Sequence, residues 1–157
     1  LIVLGEGELR TALQSQIDRL HLCDRVLMGG FIANPYPYFA QSDIFVLTSD
    51  FEGLPSVIIE AMACGCAVIS TDCPSGPREI LSPGSPISKQ LSHEIELAEY
   101  GILVPVGNTK KLAEAIQLLI DNPTLLENYR NKALIRAKNF DKSILIPAYI
   151  RTLKGLQ

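Results

Sequence analysis

The sequence predicts an α/β fold of three layers, with a mostly parallel sheet covered by helices on both faces. Two observations carry this expectation. Short apolar runs at 1–4, 25–28, 44–48, 67–70 and 100–104 are too brief for globular helices, and they recur between longer segments whose apolar residues repeat at helical spacing. Several of the runs are nearly continuous rather than alternating, as in strands that are covered on both faces. At 157 residues and 47% hydrophobic content, the chain can bury a sizeable core, and one domain is the natural expectation.

The elements follow in order. Residues 1–4 read as a strand and Gly5-Glu6-Gly7 as a turn, after which Leu9, Leu13, Ile17 and Leu20 mark a helix over about 8–20. The turn matches neither a Gly-x-Gly-x-x-Gly nor a Walker pattern, so a tight strand-to-helix connection is its simplest reading. Residues 25–28 form a second strand that runs into Gly29-Gly30-Phe31, where Phe31 stands near a strand end, a place in which aromatic residues commonly fill core space. A short helix interrupted by Pro35 and Pro37 is expected over 34–40, with Tyr36, Tyr38 and Phe39 placed to pack or to edge a cleft.

The third strand, 44–48, leads outward to a turn and helix, and the fourth, 67–70, ends at Thr71-Asp72, on the edge where open α/β sheets carry ligand loops. A compact loop and short helix span 73–80. Arg78 there reads as a phosphate partner or, more simply, as one half of a surface or structural ion pair. Residues 82–92, rich in Ser, Pro and Gly, read as a mobile surface loop, and Ser92 as the cap of a brief acidic helix with Glu94, Glu96 and Glu99 on a solvated face. After the strand at 100–104, Asn108 or Thr109 caps a helix to about Ile120, and Asp121-Asn122-Pro123 stops it. Helices over 124–138 and 141–153 complete the chain, the second weakened by Pro147.

Composition excludes several functions. The net charge is −3 and no dense basic run is present, which argues against a nucleic-acid surface. There is no continuous apolar stretch of membrane-spanning length and no secretory leader, and a chain that opens inside a strand reads as an excised piece. Cys23, Cys64, Cys66 and Cys73 do not follow zinc-knuckle spacing and read as buried free thiols of a reducing compartment. His21 and His93 are too far apart in sequence for a dedicated histidine metal cluster.

The chemistry concentrates in 50–72. Gly53 allows a close ligand approach, and Pro55 suits the first position of a helix, where its missing amide has no intrahelical partner. Val57, Ile58, Ala61 and Met62 then face the sheet, while Glu60 looks along another side. Uncapped amides at Leu54, Ser56 and Val57 attract anions or hydroxyls, helped by the helix dipole, and carboxylates such as Glu52 and Glu60 accept hydrogen bonds from vicinal hydroxyls. That combination suits a sugar-nucleotide. In a generic α/β protein, the same two acids would merely cap the helix and face solvent.

The complete string Glu52-Gly53-Leu54-Pro55-Ser56, Glu60-Ala61-Met62-Ala63, Gly65 and Ala67-Val68-Ile69 resembles the nucleotide-sugar-binding motif of the retaining glycosyltransferases with two Rossmann-like domains, the GT-B type. Within these it is similar to glycosyltransferase family 4, the glycosyl transferases group 1, which includes sucrose synthases and mannosyltransferases of glycan assembly. Gly76 and Glu79 extend the resemblance, standing where the family has a glycine-rich turn and a following glutamate, and it covers roughly residues 1–140.

The resemblance implies that 1–157 is a Rossmann-like C-terminal nucleotide-sugar-binding domain, excised from an enzyme whose first strand of this domain and N-terminal acceptor domain are missing. It implies that Glu52 orients the donor sugar at the catalytic centre and that Glu60 binds the ribose. Gly53, Leu54, Pro55 and Ser56 would line the donor, and Met28, Gly29 and Phe31 would sit beside the nucleobase. The implied donor is a UDP-, GDP- or ADP-sugar, used without cofactor or required metal in a front-face substitution assisted by the departing diphosphate. The acceptor is a hydroxyl compound held mainly by the missing domain. The family's basic diphosphate clamp has no counterpart before Glu52, so weak donor binding and little transfer are expected of this chain alone. A cytoplasmic location follows, with room for peripheral membrane contact in the intact enzyme. The alternatives are a non-catalytic nucleotide-sugar-binding regulatory or assembly module, a two-domain nucleotide-sugar epimerase, and a glycan phosphorylase, the last without a matching lysine for pyridoxal phosphate.

Overall fold

Apolar runs pair as parallel strands because the segments between them are long enough to return over the sheet as helices. The computed structural model describes residues 1–155. They form two compact units, Leu1–Pro37 and the remainder from Tyr38 onward.

In the first unit, β1 (Ile2–Leu4) and β2 (Leu27–Gly30) pair in parallel, with Val3 opposite Met28 and a register slip that sets Leu4 opposite Gly30. Helix α1 (Arg10–Arg19) connects them and starts two residues later than expected, after a turn in which the Arg10 amide bonds the Gly7 carbonyl. Of its expected apolar stripe, Ile17 is buried, whereas Leu9, Leu13 and Leu20 are exposed. The second strand runs further than its apolar letters and takes in both glycines.

Helix α2 (Tyr36–Ala40) is the short helix expected, and its Phe39 is buried edge-on against Phe45 in the second unit. That unit holds a four-stranded sheet in the order β3 (Ile44–Leu47), β4 (Ala67–Thr71), β6 (Ile102–Val104), β5 (Glu96–Leu97). The first three are mutually parallel, and β5 is antiparallel to β6. All five residues of β4 are buried. Successive strand residues face opposite ways, so Val68 enters the core formed with Ile58, Met62, Ile80 and Leu103, while Ala67 and Ile69 enter the one formed with Ile102, Ala115, Leu119 and Tyr129. These are the two faces of a three-layer fold. Helices α3 (Ser56–Ala63), α4 (Pro77–Leu81), α5 (Thr109–Asp121) and α6 (Pro123–Lys138) supply the cover. Asn108 and Asn122 cap α5 and α6 by accepting the amides of Lys111 and Leu125. Helix α7 (Lys142–Gly155) accommodates Pro147 and carries no buried residue among those described.

The acidic helix expected after Ser92 is absent; β5 stands there instead. The physical reason is a buried ion network. Arg78, 1% exposed, donates from Nε and Nη2 to Asp72 at 2.9 and 2.6 Å, and from Nη1 to Glu96 at 3.2 Å. Ser82 and Lys89 also donate to Glu96, at 3.1 and 2.7 Å, and the Leu91 amide donates to Asp72 at 2.8 Å. Glu96 is therefore not on a solvated face. The 82–92 segment lacks helix and strand but is fastened along its length, and Arg78 is a structural ion-pair partner rather than a surface residue.

Burial alone would raise the Glu96 carboxyl, but Lys89, Arg78 and Ser82 together hold it below its ordinary value of 4.5. A depressed folded-state value means that its contribution to stability is fully present above 4.5 and is lost as pH falls through the lower folded value. Acid titration of thermal stability is expected to show that loss, and Glu96→Gln to reduce it; a variant with the same acid slope as the wild type would refute this origin.

Candidate functional site

Strand β3 stops at Leu47, and the chain turns outward through Thr48–Pro55 before α3 begins. The turn is held by hydroxyls. Thr71, the last residue of β4, donates through Oγ1 to the Ser49 carbonyl at 2.5 Å, and Ser49 Oγ donates to Glu52 Oε1 at 2.6 Å. Ser75 Oγ reaches the Glu52 carbonyl at 2.8 Å. Glu52 is half-buried, its carboxylate fixed through one oxygen, and Oε2 has no hydrogen-bond partner among the described residues.

Gly53 and Leu54 lie on the surface, Leu54 at 56% exposure, and Pro55 is buried. Pro55 occupies the capping position with φ −70° and ψ 95°, one residue before the first helical position expected for it. Its ring supplies no capping oxygen, so among the described residues the amides of Leu54, Ser56 and Val57 have no acceptor. These donors and the positive end of the α3 dipole make a surface suited to anionic or hydroxyl oxygens. Ile58, Ala61 and Met62 are buried and Val57 partly so, in agreement with the expected face. Glu60 is half-buried one turn into the helix, with no side-chain partner among the described residues.

Behind the turn, the 73–76 loop packs directly on it. Gly76 has φ 64°, and a Cβ there would overlap the Gly53 carbonyl and approach Pro55 Cδ to 2.5 Å. Glu79 accepts the Gly76 amide at 3.1 Å, which gives the expected glycine and following glutamate a local structural purpose. Cys73 is buried; burial first, with the charges of Glu52 and Asp72, pushes its thiol up against the opposing Thr71 hydrogen bond. The neighbouring hollow, about 500 Å³, is lined by Asp50, Phe51, Asp72, Pro74, Leu91 and Val106, at the C-terminal ends of β3, β4 and β6.

The first unit holds the other expected residues. Met28 and Gly29 lie on β2, and Phe31 just beyond it is 77% exposed, so it fills no core. Arg10, which sequence reasoning passed over, donates to Glu6 at 2.9 Å and to the Met28 carbonyl at 3.2 Å, tying the Gly5-Glu6-Gly7 turn to the strand. Cys23 is exposed rather than buried, and Cys64 partly exposed; Cys66 and Cys73 are buried as expected.

The family profile described as glycosyl transferases group 1 matches residues 1–136. The chain belongs to this family. A relative from Campylobacter jejuni, N-acetylgalactosamine-N,N'-diacetylbacillosaminyl-diphospho-undecaprenol 4-alpha-N-acetylgalactosaminyltransferase, is 39% identical over 155 residues, which are 99% of this chain and 39% of the relative. The lipopolysaccharide core biosynthesis glycosyltransferase LpsE of Rhizobium meliloti is 30% identical, covering 98% of this chain and 41% of its own. Among solved structures, Anabaena Alr3699/HepE in complex with UDP superimposes with a TM-score of 0.78 at 26% identity, over 98% of this chain and 40% of that one. The same Anabaena protein with UDP-glucose gives 0.75 at 28% identity, over 98% and 40%. This chain thus spans about two fifths of the length of these relatives. Among the described residues, no helix is long and apolar enough to cross a membrane.

Proposed function

We propose that this chain is the C-terminal nucleotide-sugar-binding domain of a longer retaining glycosyltransferase of the GT-B type, acting in the cytoplasm in glycan, polysaccharide or glycolipid synthesis. The observation that carries the proposal is the turn before α3: a carboxylate pinned through one oxygen and open through the other, beside three unpartnered amides, with a second open carboxylate one turn along the helix. The UDP and UDP-glucose complexes of the Anabaena protein support a nucleotide-sugar donor.

In this reading, Glu52 accepts hydrogen bonds from donor-sugar hydroxyls and Glu60 from the ribose, while the Gly53–Ser56 turn meets the sugar and diphosphate. The family resemblance supports Met28, Gly29 and Phe31 as partners of the nucleobase, and the Phe31 ring is exposed. The anomeric carbon–oxygen bond breaks with its electron pair leaving on the diphosphate. The acceptor oxygen bonds the carbon on the same face, and its proton passes to a departing phosphate oxygen. The chain's contribution is orientation and charge stabilisation, with no cofactor or metal called upon. The rest of the enzyme holds the hydroxyl acceptor.

Replacing Glu60 with Gln in the full-length enzyme tests the ribose role. Loss of one charge-assisted hydrogen bond, about 1.5–3 kcal/mol, is expected to weaken donor binding roughly 10–100-fold and to leave kcat nearly unchanged at saturating donor. Donor affinity by calorimetry and turnover are measured separately, with UDP-, GDP- and ADP-sugars. A folded variant with wild-type affinity removes the role.

A further inference from the structure

The loop behind the candidate site contains two consecutive residues in the left-handed region, Ser75 at φ 61° and Gly76 at φ 64°. Gly76 is required there, because any side chain would strike the Gly53–Pro55 turn. Ser75 is different. Glycine adopts this backbone without penalty, whereas serine carries a steric cost in it, so serine's hydroxyl must be sought as the compensating element.

That hydroxyl has one proton, shared between the Pro74 carbonyl at 2.7 Å and the Glu52 carbonyl at 2.8 Å. The second contact spans 23 residues and ends on the residue that carries the proposed sugar contact. Glu52 is therefore gripped at both ends, its carboxylate by Ser49 and its main chain by Ser75. Ser49 is held in turn by Thr71, and the Ser75–Gly76 turn by the Glu79 carboxylate on the Gly76 amide. Neither of the two direct grips on Glu52 comes from α3, the helix that the same turn opens.

We propose that Ser75 is a positioning residue for Glu52: its hydroxyl fixes the main chain of Glu52 and Gly53, and so the point at which the carboxylate meets the donor sugar. The assignment rests on the glycosyltransferase reading above. Ser75 touches no reacting atom; it acts through the turn.

The decisive variant is Ser75→Gly in the full-length enzyme, since it removes the hydroxyl and the steric cost together. Thermal stability is expected to hold or rise, while kcat with the nucleotide-sugar falls on the order of tenfold and affinity for free UDP, GDP or ADP stays within about twofold of wild type. Amide hydrogen exchange at 52–56 is expected to accelerate, with β4 unaffected. Ser75→Ala, which keeps the cost and loses the hydroxyl, should show the same kcat loss with lower thermal stability. Unchanged kcat and unchanged exchange in Ser75→Gly would overturn the assignment and leave the glycosyltransferase reading standing. A wild-type enzyme that neither binds a nucleotide nor transfers a sugar overturns both.

Discussion

Arg78→Met is expected to destabilise the protein by roughly 3–5 kcal/mol, because it strands a buried carboxylate. Arg78 and Asp72 are each 1% exposed in their side chains, and Asp72 would retain only the Leu91 amide as a donor among the partners described. Glu96 would lose its buried partner while keeping Lys89, which is half-exposed. Exchanging both Arg78 and Asp72 for apolar residues of similar volume removes the orphaned charge, so the double variant should recover much of the loss. Urea unfolding of the single and double variants measures both quantities. A single variant within about 1 kcal/mol of wild type, the range of an exposed pair, would show that the network is worth no more than a surface contact.

Gly76→Ala comes next in expected size, and its effect should extend from stability to activity. The added methyl overlaps the Gly53 carbonyl and crowds Pro55, and it does so at a positive φ that disfavours alanine. Overpacking of this kind costs about 1–3 kcal/mol, and strain at such a φ adds about 1–3 kcal/mol. The methyl is opposed by backbone and a proline ring, neither of which can swing away as a flexible side chain would. Relief requires displacement of the Gly53–Ser56 turn, so donor affinity should fall together with the melting temperature. A Gly76→Ala protein that melts and binds donor like wild type would show that the turn yields without consequence.

Much of the architecture could be read from the letters because its signals are local. The run Ala67-Val68-Ile69 is apolar without alternation, and β4 proves to be covered on both faces. Glu52, Gly53 and Pro55 announce an outward turn before a helix, and only the position of Pro55 differs, by one residue. What was not legible depends on distant partners. Glu96 looks like a solvated acid until Arg78, 18 residues away, is seen to be its partner, and an acidic stretch after Ser92 imitates a capped helix for the same reason. The hydroxyl brace was equally hidden: Thr71 and Ser49 are 22 residues apart, Ser75 and Glu52 are 23, and serine or threonine in a loop carries no distinctive local mark. Phe31 left two readings open in the sequence, and its exposure removes the packing one.

The two-residue strand β5 has a consequence for how the molecule behaves in a crowded solution. It forms the outer border of its sheet, and Glu96, half of its length, is bound to Lys89 and Arg78. A foreign peptide seeking to lengthen the sheet from that side would find a ladder of only two rungs guarded by paired charges, a poor template for fibril growth.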